Sequence, residues 1–268
     1  MPSTKKKKLI SIIINCYNGE RYLAQTIKSV LRQTYRNWEI IFFDNNSKDN
    51  SVKIIKKFKD ERIKFYTSKN KFVLPLYRAR NLAITKAKGE FITFLDVDDT
   101  WKKNKLDEQL KLSTRYPLIK IFYSNFNIFN QKIKKSYLAY KYRLPSGYIT
   151  QNLVNRYCVG ILTLFISRNI FKKYKFNEKF NVIGDFDLII RLSNKFKIIS
   201  HQKSLANYRM HKSNYSKNLK IYLAEMRQWL KYNENNLKKN NINLTKIKFF
   251  IYKLKIKSIL KKLFNLDF

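Results

Sequence analysis

Through its first 126 residues the chain alternates short apolar runs with amphipathic stretches, and this alternation confines it to few folds. Runs rich in β-branched and aromatic residues at 9–14, 38–43, 63–66, 91–95 and 119–126 read as strands. Between them, 20–33, 49–59, 76–86 and 105–115 carry helical periodicity, with Asp49 placed to cap the second. Strands that recur with a helix between them require crossover connections. The expected product is an α/β fold: a Rossmann-like, mostly parallel twisted sheet with helices on both faces. In such sheets ligands bind beyond the carboxyl ends of the strands.

One strand end is chemically distinctive. Asp96, Asp98 and Asp99 follow the run 91–95 directly, in a chain with 18 Asp and Glu against 57 Lys and Arg. Side chains at i and i+2 of an extended segment share a face, so Asp96 and Asp98 can point into one loop. Hard Mg²⁺ or Mn²⁺ typically takes one or two carboxylates together with substrate phosphates. The structural alternative is an Asx turn or a cap ahead of residues 102–105, a role suited to Asp99. Two further strand ends would share the same edge. Asn15, Tyr17 and Asn18 close the first with two amides and an aromatic ring, groups that can hydrogen-bond and stack a base. Asp44, Asn45, Asn46 and Ser47 close the second with side chains able to read base edges or ribose, although turn chemistry alone accounts for either end.

The formal net charge is +39, a field that attracts polyanions, whether nucleic acid or an anionic membrane. The excess is mainly Lys, in a chain with only 5 Gly and 4 Pro, so biased composition explains it equally well. Bidentate phosphate recognition generally prefers Arg, and no nucleic-acid module is evident, so no specific nucleic-acid partner is expected. Cys16 and Cys158 have no metal-like spacing, which suits a reducing, cytoplasmic compartment. Lys5–Lys8 and the apolar run after them imitate a signal peptide. That run is interrupted by Ser11, stops at Asn15 and lacks a small-residue cleavage site, so it reads as a buried strand. No apolar run reaches the ~18 residues needed to span a bilayer.

Order weakens in 131–157, a basic, Tyr-rich stretch read as loops and a short helix. Regular structure is expected again at 159–166, in a helix from near Gly184 and in a strand at 197–200. Beyond about Asn218 the chain turns Lys/Asn-rich and helical. There Tyr252, Ile256, Ile259 and Leu263 fall at i, i+4, i+7 and i+11, with Lys253, Lys255, Lys257, Lys261 and Lys262 on the other sides. Such a basic amphipathic helix either packs on the domain or lies on an anionic bilayer.

Taken in order, 11–18, 29–35, 44–47, 79–81, 89–92 and 95–101 resemble the N-terminal half of family 2 glycosyltransferases with the GT-A fold. The resemblance covers about the first 110 residues and implies roles for individual positions. Asp96-Val97-Asp98 would be the DxD motif: Asp98 ligates Mn²⁺ or Mg²⁺ on the donor diphosphate, and Asp96 contacts that metal or the ribose and sugar side. Asn15, Tyr17, Asn18 and Asp44 would line the nucleotide pocket, and Arg80 would contact the nucleotide or donor. Many relatives carry two acids where this chain has Asp44-Asn45. Asn45 can still accept through its amide oxygen while also donating, which leaves a pyrimidine donor, UDP- or dTDP-linked. The segment 184–187 resembles the acidic segment that opens a helix in the family. Gly184 stands where relatives have Glu, and Asp185 aligns with the catalytic base, its pKa expected to be lowered by the helix dipole. Without the resemblance, Asp185 reads as an N-cap. Tyr208-Arg209-Met210-His211 resembles an element whose His approaches the diphosphate or metal. His201 reads as structural, and Arg191 as the i+4 partner of Asp187.

These readings give a GT-A catalytic domain at 1–217 and a basic amphipathic tail at 218–268. The expected activity is inverting, metal-dependent transfer of a sugar from a nucleotide-diphosphate donor to a hydroxyl of a glycan or lipid-linked acceptor. The setting implied is cell-surface polysaccharide or lipopolysaccharide biosynthesis on the cytoplasmic face of the inner membrane. Two rivals remain at this level: a polyanion-binding protein, suggested by the charge, and a catalytically degenerate GT-A scaffold, suggested by Asn45 and Gly184.

Overall fold

The computed structural model describes residues 7–68, 70–212, 214 and 218–264, with side chains to residue 260. A nine-stranded sheet runs through it in the order β3-β2-β1-β4-β8-β6-β9-β5, with β7 paired to β6. Its strands are β1 Ile10–Cys16, β2 Trp38–Asp44, β3 Ile63–Thr67, β4 Phe91–Phe94, β5 Thr100–Trp101, β6 Ile121–Asn130, β7 Lys135–Leu138, β8 Phe165–Ser167 and β9 Ile198–Met210. The helices are α1 Glu20–Leu31, α2 Ser51–Lys56, α3 Leu76–Thr85, α4 Lys105–Arg115, α5 Thr150–Asn155, α6 Gly184–Ser193, α7 Leu219–Lys239 and α8 Thr245–Phe264. β1 to β4 are parallel, β8 is antiparallel between β4 and β6, and β6 runs parallel to β9.

Every residue of β1 and β2 is buried, because helices cover both faces of a parallel sheet. The period-2 pleat divides them between two cores. Ile10, Ile12 and Ile14 with Trp38, Ile40 and Phe42 meet Leu23, Ile27 and Val30 of α1 on one face. Ile13, Ile41, Phe43, Ile92 and Phe94 meet α3, α6 and α7 on the other. β1 lies between β2 and β4, so the chain winds outward to β3 and then reverses to β4. In such sheets a reversal of this kind marks where ligands bind, here the carboxyl ends of β1 and its neighbours.

The five expected strands and four expected helices of the N-terminal half all form. Asp49, however, is not an N-cap of the expected kind: Asn50 holds that position and makes no side-chain cap bond. The Asp49 carboxylate accepts the N–H groups of Ser51 and Glu20, both at 2.9 Å, and Glu20 Oε2 accepts Asn50 N–H at 2.8 Å. The two helix starts are therefore tied to each other. The C-terminal half departs further. Residues 135–138 form β7, a strand hidden by its exposed, basic composition. β9 extends for 13 residues rather than four, since its outer half is polar and only β6 and β5 beside it define it as a strand. Residues 161–163 make a 3₁₀ turn ahead of β8.

α7 and α8 form a hairpin closed at Asn241, whose φ is +59°. Leu223, Met226, Trp229, Leu237, Leu244, Ile247 and Ile251 enter the same core as α3 and α6, so this region packs on the domain. The expected stripe of α8 is not the packed one: Tyr252, Ile256 and Ile259 are exposed. Leu263, Lys261, Lys262 and the boundary residue 217 lie outside the described side chains, as do Lys5 and Lys6.

Candidate active site

The loops after β1, β2 and β4 meet at this edge of the sheet. Asn18 and Asn46 adopt positive φ, +52° and +62°, which lets each loop turn back on itself. Asn18 N–H donates to Ser47 Oγ at 3.0 Å, and Asn18 Oδ1 accepts Lys48 N–H at 2.8 Å. Asn15 is buried, yet both polar atoms of its amide lack a hydrogen-bond partner, as does Asp44 Oδ1. Each such group costs roughly 1–3 kcal/mol if left unpaired, so a polar ligand is the natural complement. Tyr17 stands beside them, half exposed. Asn45 is used differently from the expectation. Its Oδ1 accepts Leu74 N–H and its Nδ2 donates to Leu74 C=O, both at 2.9 Å. Its amide thus braces the 70–74 loop.

Asp96, Asp98 and Asp99 diverge into three roles. Buried Arg80 donates to Asp96 Oδ1 at 2.6 Å, its guanidinium resting against the Tyr77, Phe94 and Phe176 rings. Asp98 Oδ2 meets His211 Nε2 at 2.9 Å and accepts Asn214 Nδ2 at 3.3 Å. Burial, then the Asp96 charge, raise the Asp98 pKa against the pull of His211. Asp99 is wholly buried and accepts Arg209 N–H at 2.8 Å, while Arg209 Nε donates to the Asp98 carbonyl at 2.8 Å. The long β9 therefore carries His211 onto the loop after β4.

Gly184 and Asp185 open α6 close by. Asp185 Oδ1 accepts Phe186 N–H at 2.9 Å and the Tyr77 hydroxyl at 3.2 Å. Burial pushes the Asp185 carboxyl above the ordinary aspartate value, opposed chiefly by the Arg80 guanidinium. The lowering expected from the helix dipole is thus overridden, because desolvation penalises the charged form more strongly. Tyr77 and Arg80, one helical turn apart on α3, join Asp96 to Asp185.

Two supports escaped sequence reasoning. Buried Glu225 of α7 accepts the N–H groups of Asn181, Val182 and Ile183 at 2.6, 2.9 and 3.0 Å, holding the turn that leads into Asp185. The available signal was an acid flanked by apolar residues in a Lys-rich segment. Glu225→Ala should lower stability by about 1.5–3 kcal/mol in urea unfolding. Tyr77 is the second: a Cβ on Gly184 would lie 2.4 Å from its ring. Gly184→Glu, the residue that the family resemblance implies at this position, should therefore cost about 1–3 kcal/mol in the same assay through overpacking. Adding Tyr77→Ala should relieve that clash.

As expected, Arg191 pairs with Asp187 at 2.8 Å, and His201 has a structural contact with Glu108 on α4 at 2.9 Å. Both cysteines are free and buried. Among the described residues no group of three or more His, Cys, Asp or Glu forms a ready metal cage. Asp98 and neighbouring Asp96 offer the one or two carboxylates that a hard divalent ion sharing its shell with phosphate oxygens requires.

A mixed, mostly parallel sheet whose strand ends gather an unpaired amide, carboxylates and a buried arginine at a topological switch point belongs to the α/β folds that bind ligands at that edge. More narrowly, the chain belongs to glycosyl transferase family 2, whose domain matches residues 11–183. It is 37% identical over 169 residues to WfgD of Escherichia coli, a UDP-Glc:alpha-D-GlcNAc-diphosphoundecaprenol beta-1,3-glucosyltransferase, covering 63% of this chain and 64% of that protein. The match therefore spans less than two thirds of that relative's length. Among solved structures, the mannosyltransferase PcManGT of Pyrobaculum calidifontis, in complex with GDP-Man and Mn²⁺, superposes with a TM-score of 0.65 at 11% identity, over 94% of this chain and 72% of that one. S. aureus TarS in complex with UDP-GlcNAc gives 0.61 at 16% identity, over 82% and 65%. The fold is thus GT-A, as the sequence resemblance implied.

Proposed function

We propose that this protein transfers a sugar, with inversion, from a pyrimidine nucleotide-diphosphate donor to a hydroxyl of a lipid-linked glycan in cell-surface polysaccharide or lipopolysaccharide assembly, at the cytoplasmic face of the inner membrane. The observation that carries this reading is the chain of contacts Asp96–Arg80–Tyr77–Asp185, which brings the donor-side acids and a raised-pKa carboxylate together. Asn15 and Asp44, with unpaired buried atoms, receive the base or ribose, and Tyr17 covers it. Because Asn45 is committed to Leu74, selection of the pyrimidine falls to Asn15 and Asp44. Asp98 and Asp96 would hold Mn²⁺ or Mg²⁺, with His211 steadying Asp98. When bound, such an ion would supply positive charge against the departing diphosphate. Asp185 accepts the proton of the acceptor hydroxyl as that oxygen attacks the anomeric carbon, and a single displacement inverts the centre. Tyr77 orients the carboxylate and favours its ionised form.

WfgD supports the lipid-linked acceptor by its named activity, and PcManGT supports the metal by its bound Mn²⁺. Structural roles for Asn45, which is bonded to Leu74, and Gly184, which is packed under the Tyr77 ring, support this reading over a catalytically degenerate scaffold. Calorimetry with UDP, dTDP and GDP in the presence of Mn²⁺ tests the reading. Selective binding of UDP or dTDP is expected; equal, metal-independent binding of all three would return the protein to the polyanion-binding class.

A further inference from the structure

α8 carries two apolar stripes rather than one. Leu244, just ahead of the helix, and Ile247, Ile251 and Leu254 within it pack toward the core. Phe249, Tyr252, Ile256 and Ile259 repeat the same spacing five residues later, which turns the second stripe about 140° around the helix, away from the first. Leu260 extends it, and these five residues are 40–58% exposed. A helix that only packed on the domain would carry polar residues there.

Lysines border the exposed stripe on both sides. Lys248 and Lys255 fall along one edge, and Lys246, Lys253 and Lys257 along the other, by helical spacing. Lys248 also reaches Glu234 of α7 at 2.7 Å, and the Lys253 ammonium lies over the Phe249 ring at 4.5 Å. The 20 residues of α8 contain seven Lys and no acid. None of the described helices is long and apolar enough to cross a membrane.

We infer that α8 docks this protein on an anionic lipid bilayer through the Phe249–Tyr252–Ile256–Ile259–Leu260 face, lying in the membrane plane with its flanking lysines among the headgroups. Apolar side chains enter the headgroup and acyl boundary, while lysine stems follow them and keep their ammonium groups at the phosphates. A second copy is a poorer occupant, because pairing two such faces sets lysine rows against lysine rows in a chain of net charge +39. A nucleic acid would account for the lysines but not for an aligned aliphatic stripe between them. The inference uses neither Asp98 nor Asp185, so it stands or falls separately from the proposed chemistry.

The test is co-sedimentation of the full chain with vesicles of phosphatidylcholine alone or of phosphatidylcholine with phosphatidylglycerol. Ile256→Ser with Ile259→Ser alters the stripe, and Lys253→Gln with Lys255→Gln and Lys257→Gln alters its borders. All these residues are exposed, so unchanged thermal melts are expected for both variants. Binding should be strong only to anionic vesicles and should weaken roughly tenfold or more in each variant. Three results would overturn the inference: no vesicle binding, anionic binding untouched by the stripe variant, or a soluble dimer in sedimentation velocity that the stripe variant dissolves.

Discussion

Asp185→Asn is expected to reduce turnover by a factor of about 100 to 10,000 while leaving nucleotide affinity within about threefold of the parent. In the proposed role the carboxylate accepts a proton only in the transition state, so its loss should fall on kcat rather than on donor binding. The pH dependence follows from its raised pKa. Below that pKa the carboxyl is protonated and cannot act as a base, so kcat rises with pH through a limb lying above the ordinary aspartate range. Tyr77→Phe removes a hydroxyl that stabilises the ionised form and should move the limb to higher pH. Stability carries the opposite sign. A carboxylate whose folded pKa is raised imposes a cost that appears as pH rises from the unfolded to the folded value and persists above it. Asp185→Asn should therefore be as stable as the parent at neutral pH or more so, in urea unfolding. A kcat unchanged in Asp185→Asn would remove this residue from the base role.

The second large effect is expected at Asp98. Asp98→Asn keeps the side-chain shape but removes the charge facing His211 and next to Asp96. Mn²⁺-dependent affinity for the nucleotide diphosphate should fall about thirtyfold or more, the equivalent of losing roughly 2 kcal/mol from a buried charged contact. Omitting Mn²⁺ should reproduce most of that loss in the parent and add little in the variant. Calorimetry at moderate salt separates this outcome from simple polyanion binding, which would ignore the substitution and fall steeply with salt.

The N-terminal half was legible because its signals are local. The apolar runs of β1, β2 and β4 are buried on both faces and short, and the polar residues after them mark where each strand ends. Parallel strands joined by helices leave few windings, so the common edge of Asn15, Asp44 and Asp98 followed from order along the chain. The C-terminal half carries weaker local signals. β9 contains His201, Gln202 and Lys203 in its middle, a polar segment that becomes a strand only because β6 lies beside it. Asn45 presents the same difficulty at the scale of one side chain: its composition suited a base edge, and the approach of Leu74 turned it into a brace.

The sequence by itself determined the class of fold, the end of the sheet proposed as the site and the acids gathered there, since periodicity and strand order are properties of the chain alone. Only the tertiary structure decided which acid does what. Arg80 takes Asp96, His211 takes Asp98, Arg209 takes Asp99, and Glu225 fixes the turn before Asp185. It also decided that Asp185 is harder to ionise than a free carboxyl, and that the stripe of α8 read as amphipathic faces outward. Those outcomes depend on burial and on partners many residues distant, and desolvation is set by what packs around a group rather than by its neighbours in sequence.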